Sequence, residues 1–580
     1  MSEVAVKQGW WEVILSFFHP RVITMLFLGF SAGVPILLIF SSLSLWLGEA
    51  GVQKSAVTFF SWAALGYSFK FVWAPLVDKM PLPLLTKWLG RRRSWMLLSQ
   101  FMVIGAILWM AFTDPASSPG SLTIMALAAV LLGFSSATQD VVIDAYRIES
   151  AQNELQALMS STYIAGYRIG MIAAGAGALY LAHYFGSEKD AYNYTAWMNT
   201  YTVMAGVMLI GVLTTLIIPE PAEYQASGLT YNTSDYARFF LLFVLAVASF
   251  IAIFFLSSKA GYKIGYGPFY EMVQAAKEHL TAIFSNKKLA SLLVETGRLS
   301  AAILTAWLIA KVMMGAKIVN GTMVKESYVD PIRDFFTRYG MGLAILLLCL
   351  VGFYRISDIV LGAIANVFYQ DLGYTKLDIA NASKVFGLVA TIIGGFLGGL
   401  LAVRYGVMKI LFLGAVLSAL TNLLFIWLSQ TDAFTTNAFL WMSQSGVSFF
   451  TWISSLGFDS LSGFSSAGAN FFNGLAVSGA GVFKLFIVIG ADNLSAGLAS
   501  AAFIAFLSSL TNISFTAVQY AIFSSLMTLF PKVLGGYSGT FVQSMGYTNF
   551  FIMTTLLTIP VAILILVTSK YFKGEVKMAT

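Results

Sequence analysis

Charged residues are scarce in this sequence. Asp, Glu, Lys and Arg fill 11% of the 580 positions, whereas hydrophobic residues fill 58%. Soluble domains carry charge at about 25% of their positions, so the composition argues against a soluble globular protein and predicts a membrane protein. We interpret the net charge of +7 as a determinant of orientation in the membrane, and we predict no nucleic-acid partner.

Cysteine and histidine are almost missing. The single cysteine, Cys349, lies inside a predicted span, which excludes a disulfide framework and a thiolate metal cluster. The three histidines, His19, His183 and His279, show no metal-ligand spacing, and no GxxxxGK[ST] phosphate-binding motif occurs. We therefore predict a protein that is not an enzyme, has no cofactor and no metal, and takes its energy from a gradient.

Apolar runs of about 20 residues, each long enough to cross the membrane as a helix, recur along the chain. They form two sets of six, beginning near residues 22, 55, 94, 121, 158 and 196 and near residues 339, 380, 408, 480, 512 and 548. Two more stretches, 238–257 and 299–315, lie between the sets. The predicted fold is an all-α polytopic membrane protein with a six-helix bundle in 1–220, a linker with two extra helices in 221–338, and a second six-helix bundle in 339–580.

The predicted orientation comes from the short basic loop 78–95, "DKMPLPLLTKWLGRRRSW". Basic residues concentrate in cytoplasmic loops, so this loop and both termini are predicted to be cytoplasmic. The loop 258–298 breaks the rule, since it is basic but would lie outside. Either "GPFYEMVQAAKEHLTAIF" lies on the membrane surface as an amphipathic helix, or one extra stretch does not cross. The insertion 436–479 is predicted to be periplasmic, as a dipping hairpin or a cap.

Several motifs occur in order along both predicted bundles. They include "FSAGVPILL", "KFVWAPLVD", "GRRRSW", "SATQDVVIDAYRIE" and "GYRIGM" in the first, and "PIRDFFTRYG", "RISD", "LVATIIGGFLGGLL" and "SFTAVQYAIFSSL" in the second. The basic loop between spans resembles the signature of the major facilitator superfamily, and the series resembles the AmpG family of muropeptide permeases. Departures from that family are the linker, the long outer loop, Arg355 in place of lysine and Asp492 in place of glutamate.

The resemblance implies a function. It implies proton-driven import of anhydro-muropeptides, which join an amino-sugar disaccharide to a short peptide, across a bacterial inner membrane by alternating access. The imported fragments would feed peptidoglycan recycling and, in some bacteria, β-lactamase induction and antibiotic resistance. The expected partners are this anionic glycopeptide and membrane lipids, with the transporter acting as a monomer.

The stretch "QDVVIDAYRIE" places Asp140, Asp144 and Arg147 within about 40° of one another on a helix. Burial makes an unpaired carboxylate easier to protonate and a neighbouring arginine makes it harder, so such a stripe suits proton coupling. We predict that Asp140 and Asp144 couple protons and that Arg147 contributes to gating. Alternatively, all three are interfacial charges. Glu149 points elsewhere and is interpreted as a loop charge.

Three basic residues, Lys70, Arg168 and Arg355, fall near the predicted middle of their spans. A charge at that depth requires a cavity or an acidic partner, and arginine can hold a carboxylate with two hydrogen bonds. We predict that these residues bind cargo carboxylates and that Asp358 is a third proton-coupling residue. The alternative is structural pairing of Arg355 with Asp358 and of Arg168 with Asp140.

The remaining candidates have weaker support. Tyr163, Tyr167 and Gln519 are predicted to contact sugar or peptide, although packing is an alternative for each. The basic loop supplies predicted gating residues, which are Asp78, Arg91, Arg92 and Arg93. Lys384 and Lys484 are placed near the outer surface, where they would attract anions or extend to the membrane interface.

Two other functions remain open from the sequence. The first is transport of another anion, such as an acyl-coenzyme A or a peptide, because basic cavity residues do not identify a cargo. The second is a receptor or membrane scaffold that uses the two insertions for docking. Saturable, protonophore-sensitive uptake would argue against the second.

Overall fold

The computed structural model describes residues 15–52, 67, 69–151, 153–187, 191–221, 231–257, 267–285, 287–430, 444–449, 451–452, 455 and 462–575. Within these ranges the chain is helical and forms no β-strand. The contacts divide it into two compact units. The first comprises Met1–Val77, Pro81–Tyr224 and Phe335–Thr580, and the second comprises Asp78–Met80 and Gln225–Asp334.

The N-terminal half of the first unit contains five long helices. These are α1 (Pro20–Glu49), α2 (Arg91–Ala111), α3 (Pro119–Ser150), α4 (Leu155–Tyr184) and α5 (Tyr194–Ile217). Shorter helical segments occupy Lys70–Val72, Ala74–Lys79 and Leu85–Leu89. The span predicted to begin near residue 55 falls mostly outside the described residues.

The second unit contains three long helices. These are α6 (Thr233–Leu256), α7 (Gly267–Phe284) and α8 (Lys287–Gly315), followed by a short helical stretch over Gly321–Val324 and Lys325–Val329. Helices α6 and α8 include the two extra apolar stretches, and α7 is the segment predicted to be amphipathic. Within this unit Arg298 binds Glu295 and Ser257, and the Lys79 Nζ atom lies 4.0 Å from a Glu326 carboxylate oxygen.

The C-terminal half of the first unit contains most of the remaining helices. These are α9 (Asp330–Phe353), α10 (Ile356–Asp371), α11 (Asp378–Tyr405), α12 (Val407–Leu428), α13 (Ser462–Leu510), α14 (Thr516–Gly535), α15 (Ser538–Leu556) and α16 (Thr558–Glu575). Helices α9 and α10 together make one predicted span, interrupted at Tyr354 and Arg355. Residues 462–479 of the predicted outer insertion are helical and form the start of α13, whereas most of 436–461 lies outside the described residues.

Thirteen helical segments of the described chain are long and apolar enough to cross a membrane. They match thirteen of the fourteen predicted spans, and the fourteenth is the one near residue 55. The all-α, multi-pass class predicted from composition is therefore confirmed.

Glycine positions α1 directly against α4. A Cβ atom on Gly29 would lie 2.2 Å from the Tyr163 carbonyl oxygen, and one on Gly33 would lie 2.0 Å from the Tyr167 carbonyl oxygen. Gly170 of α4 has the same relation to α1. The helix backbones touch because no side chain separates them, and this contact fixes the depth at which the α4 side chains sit.

Helices α11 and α13 of the C-terminal half pack in the same way. A Cβ atom on Gly394 would lie 2.0 Å from the Leu494 carbonyl oxygen, and one on Gly497 would lie 2.2 Å from the Thr391 carbonyl oxygen. The two halves thus pack helices in the same way, and in the C-terminal half Asp492 lies two residues before the backbone contact at Leu494.

The two halves meet through α4 and α11. Gly399 of α11 faces α4 so closely that a Cβ atom there would lie 2.6 Å from the Ser161 hydroxyl. Phe17, ahead of α1, packs edge-on against Phe396, with ring centroids 5.3 Å apart. We call the end of the helices that carries Arg91, Arg92 and Arg93 the inner end.

Several helices contain local irregularities. Residues Leu38–Ser42 of α1, Ala173–Gly177 of α4 and Asn381–Phe386 of α11 form π-helical turns. Gly340 and Gly546 adopt positive φ angles of 68° and 77°, which glycine tolerates best, and each sharply redirects a helix.

Candidate functional site

Asp144 of α3 lies between two cations. Its carboxylate is 3.7 Å from the Lys70 Nζ atom and 3.2 Å from the Arg147 Nη2 atom. All three side chains are buried. Because buried charges are stable only when paired, this group is a compact ionic cluster with an excess of positive charge.

Asp140, one helical turn earlier, has a different environment. It is 8% exposed, and the Tyr163 hydroxyl donates a long hydrogen bond of 3.5 Å to it. Among the described residues no Lys, Arg or His nitrogen lies within 4.0 Å of it. The pair with Arg168, given above as the structural alternative, is therefore not formed, and in the described part of the chain Asp140 is a buried carboxylate without a direct counter-ion.

Arg168 of α4 and Arg355 between α9 and α10 approach each other from opposite halves. Their guanidinium groups are close enough to repel. Arg168 is partly exposed and contacts the Met171 sulfur at 3.7 Å, with no carboxylate within 4.0 Å in the described part of the chain. Arg355 lies 3.9 Å from Asp358. The pairing predicted as an alternative thus forms for Arg355 but not for Arg168.

A pair of carboxylates faces this region from the C-terminal half. Ser418 donates a hydrogen bond to Asp358, and Thr421 donates one to Asp492 at 3.3 Å. Ser418 and Thr421 are one turn apart on α12, so the two carboxylates are neighbours, and they repel each other electrostatically. The sequence identified Asp492 only as a departure from the family; its position in an apolar run was the signal for a site residue.

The inner end carries a contact between the halves. Arg92 of α2 binds Glu149 of α3 with two nitrogens, at 2.8 and 2.5 Å. Thr516 of α14 donates to Glu149 and accepts from Arg92. Glu149 is buried, so its interpretation as a loop charge is wrong, because the end of α3 packs against α14 instead of entering solvent.

Arg147 connects this inner contact to Asp144. Besides Asp144 it donates to the Ser160 hydroxyl at 2.6 Å, and its guanidinium lies 5.2 Å from the centroid of the Tyr520 ring on α14. Its side chain is fully buried. One arginine therefore touches the ionic cluster of the N-terminal half and the wall of the C-terminal half.

The other predicted gating residues occupy structural positions. Arg93 donates to the Thr215 and Leu216 carbonyls at the end of α5. The Glu220 carboxylate accepts from the backbone N–H groups of Arg92 and Arg93; burial raises the pKa of Glu220, and these hydrogen bonds oppose the rise. Arg91 and Asp78 are both buried near the predicted loop. Their role in gating stays a prediction.

Two other candidate polar residues are held by nearby groups. Gln519 is 1% exposed, and its amide oxygen accepts from the Asn512 N–H at 2.7 Å and from Arg338 at 3.1 Å. It ties α14 to the preceding turn, and its contact with cargo stays a prediction. Lys484 is buried and donates to the Trp427 and Gln430 carbonyls at the end of α12. The Lys384 side chain lies outside the described residues.

Tyr163 and Tyr167 of α4 are neighbours of Asp140 and Arg168, respectively. Their rings are 6.1 Å apart, and their carbonyl oxygens contact α1 at Gly29 and Gly33. Tyr163 reaches Asp140, and Tyr167 lies beside Arg168 in the chain. The backbones of both residues therefore pack against α1, while their side chains lie near charged residues. Contact with cargo stays a prediction.

Three comparisons with known proteins bear on this arrangement. The family model described as Major Facilitator Superfamily matches residues 22–483. "Putative transporter AmpG 4" of Rickettsia felis is 28% identical over 95% of this chain and 97% of its own length. "Anhydromuropeptide permease" of Escherichia coli strain K12 is 24% identical over 95% of this chain and 80% of its own length.

Solved structures support the same fold. The proton:xylose symporter XylE bound to 6-bromo-6-deoxy-D-glucose matches with a TM-score of 0.50 and 11% identity over 95% of both chains. A double tryptophan mutant of XylE matches with a TM-score of 0.53 and 12% identity over 96% of both. The family match, with its transporter relatives, indicates a permease rather than an enzyme. This chain therefore belongs to the Major Facilitator Superfamily of membrane transport proteins.

Proposed function

We propose that this protein imports anhydro-muropeptides across a bacterial inner membrane, driven by a proton gradient, with both termini in the cytoplasm. The names of the relatives motivate the cargo, and the basic loop 78–95 motivates the orientation. The observation that carries the proposal is Arg168, a cation without a carboxylate partner in the described residues, opposite Arg355. An anionic cargo relieves this repulsion.

Binding at this position joins the halves. Arg168 belongs to α4 and Arg355 to the junction of α9 and α10, so one carboxylate held by both links the two bundles. Two guanidinium groups bind carboxylates with short, charge-assisted hydrogen bonds. In transporters built from two repeats, a ligand held between the repeats favours their closure around it.

Proton coupling is assigned to the stripe on α3. Asp140 has a weak hydrogen bond and no direct cation, whereas Asp144 is paired with Lys70 and Arg147. A proton therefore neutralises Asp140 without breaking an ion pair. A change of charge at Asp140 alters the field at Lys70 and Asp144, and through Arg147 it reaches the contact with α14.

The test is uptake of labelled anhydro-muropeptide into proteoliposomes, with and without an inward proton gradient. We expect gradient-driven uptake by the unaltered protein. Asp140→Asn should keep cargo exchange but lose the response to the gradient. Arg168→Gln should raise KM roughly 10- to 100-fold, because charge-assisted hydrogen bonds contribute about 1.5–3 kcal/mol. Glu278→Gln, on the exposed face of α7, is the control and should transport normally.

Other results would redirect the proposal. If Asp140→Asn responds fully to the gradient, the α3 stripe is structural. If the folded, unaltered protein takes up no muropeptide, the cargo assignment fails, and other anions, including peptides and acyl-coenzyme A, become the probes.

A further inference from the structure

The charges on the two facing sides of the candidate site are unbalanced in opposite directions. On the N-terminal side the named cations are Lys70, Arg147 and Arg168, which outnumber the carboxylates Asp140 and Asp144. On the C-terminal side, among the described residues, the carboxylates Asp358 and Asp492 interact with the cation Arg355. Each side thus has an excess of one charge, positive on one and negative on the other.

The negative side has an organised geometry. The Ser418 and Thr421 hydroxyls, on the buried face of α12, donate to the Asp358 and Asp492 carboxylates, and Thr421 shares its single proton between Asp492 and the Ser418 carbonyl oxygen, 3.1 Å away. The hydroxyl donors position one oxygen of each carboxylate. Asp492 and the 20%-exposed Asp358 side chain both remain partly accessible. In the part of the chain that is described, no Lys or Arg nitrogen lies within 4.0 Å of Asp492.

Two neighbouring carboxylates with one guanidinium form a site for a cation. The Arg355 Nε atom, 3.9 Å from Asp358, makes no hydrogen bond with any described residue, so the ion pair between Arg355 and Asp358 is loose. An ammonium group has three donors and suits carboxylate oxygens that converge from two helices, α10 and α13. Two neighbouring carboxylates that are only partly solvated repel each other, and a cationic partner relieves this repulsion.

We infer that the cargo carries a protonated amine as well as a carboxylate, and that Asp358 and Asp492 hold the amine while Arg168 and Arg355 hold the carboxylate. This inference rests on the proposed import of a peptide-bearing cargo. It narrows the cargo to molecules with an amino-acid-like end group. It also gives Asp358 a binding role in place of the proton-coupling role predicted from sequence.

The test compares two probes, a labelled anhydro-muropeptide whose peptide carries a free amine and the same molecule with that amine acetylated. Binding is measured by calorimetry on the purified full chain, and uptake is measured in proteoliposomes. We expect the unaltered protein to bind the free amine roughly 10- to 100-fold more tightly than the acetylated form. Asp492→Asn should lower affinity for the free amine to that of the acetylated form without changing the latter.

Asp492→Glu keeps the charge and should still bind the free amine more tightly than the acetylated form. It is the control for a folding defect in Asp492→Asn. Glu278→Gln should behave as the unaltered protein. Equal affinity of the unaltered protein for both probes, with normal uptake, would overturn this inference and leave the proposed import standing. Loss of the gradient response in Asp492→Asn with amine discrimination intact would also overturn it, since Asp492 would then carry the proton. If neither probe binds or enters, the inference and the proposed function both fail.

Discussion

At the scale of single residues, the buried charged residues differ in how many polar partners they have, and we relate this difference to their roles. Asp144, Glu149 and Arg92 each have at least two polar partners, whereas Asp140 and Arg168 have one weak contact each in the described residues. A fully paired charge resists change because removal of either partner leaves the other buried and unpaired. The weakly paired residues are therefore the ones available to a proton or a cargo.

The Thr516 hydroxyl is expected to stabilise the inner contact between the halves. Thr516→Val removes a donor to Glu149 and an acceptor for Arg92 while keeping the side-chain shape. We expect a loss of about 1 kcal/mol, or roughly fivefold more opening of the inner end. In inside-out vesicles a membrane-impermeant maleimide should label Ser150→Cys faster, in a Cys349→Ala background. Ser514→Ala, at an exposed neighbouring position, is the control and should leave the labelling rate unchanged. If it raised the rate as much as Thr516→Val does, the effect would reflect a general disturbance of α14.

Tyr520 offers a second test of the contact between the halves. Its ring faces the Arg147 guanidinium at 5.2 Å, and such contacts contribute about 0.5–2 kcal/mol. Tyr520→Leu should raise labelling of Ser150→Cys, whereas Tyr520→Phe, which keeps the ring, should not. Equal effects of both substitutions would assign the role to the hydroxyl instead of the ring.

At the scale of elements, the hydrophobic pattern predicted the helices well because span length and apolarity are local properties. Thirteen spans and the helix Gly267–Phe284 follow from it. The pattern could not predict the environment of Gln519, whose partners come from another turn and another helix. It also misjudged Glu149, since a charge at a helix end is solvated or buried depending on what packs there.

The glycine contacts between helices give an element-scale prediction. Gly29→Ala puts a methyl group 2.2 Å from the Tyr163 carbonyl oxygen and must force α1 away from α4. Overpacking of this kind costs about 1–3 kcal/mol, so we expect a lower Tm and less monodisperse protein in size-exclusion chromatography. Gly105→Ala, where nothing lies within 4 Å, is the matched control and should behave as the parent. Comparable damage from both substitutions would contradict the packing argument.

At the scale of the whole molecule, the same chemical change on α11 should act differently according to what it faces. Gly394 packs within the C-terminal half, but Gly399 faces Ser161 and Ala157 of the N-terminal half. A methyl group at Gly394 strains one bundle, whereas a methyl group at Gly399 separates two bundles that can move apart. Gly394→Ala should therefore lower Tm, and Gly399→Ala should change the balance between conformations.

Distances between spin labels at the inner ends of the two halves measure this balance. Gly399→Ala should widen the distance distribution toward open states with a Tm close to that of the parent. Gly362→Ala, which adds a methyl group in open space, is the control. Unchanged distances in Gly399→Ala, together with a lowered Tm, would mean that the halves do not separate at α4 and α11.

The π-helical turns of α1 and α4 have a consequence for how the two helices face each other beyond them. Each holds one residue more than an α-helical turn, and the two touch where the Ser42 hydroxyl donates to the Ala174 carbonyl at 2.8 Å. Deleting one residue from either turn would rotate the rest of that helix by about 100° against its neighbour. Because α1 and α4 run in the same direction, shortening both turns would rotate both distal segments in the same sense and would not bring their facing surfaces back together. The length of each turn is therefore set by the packing of the helix beyond it.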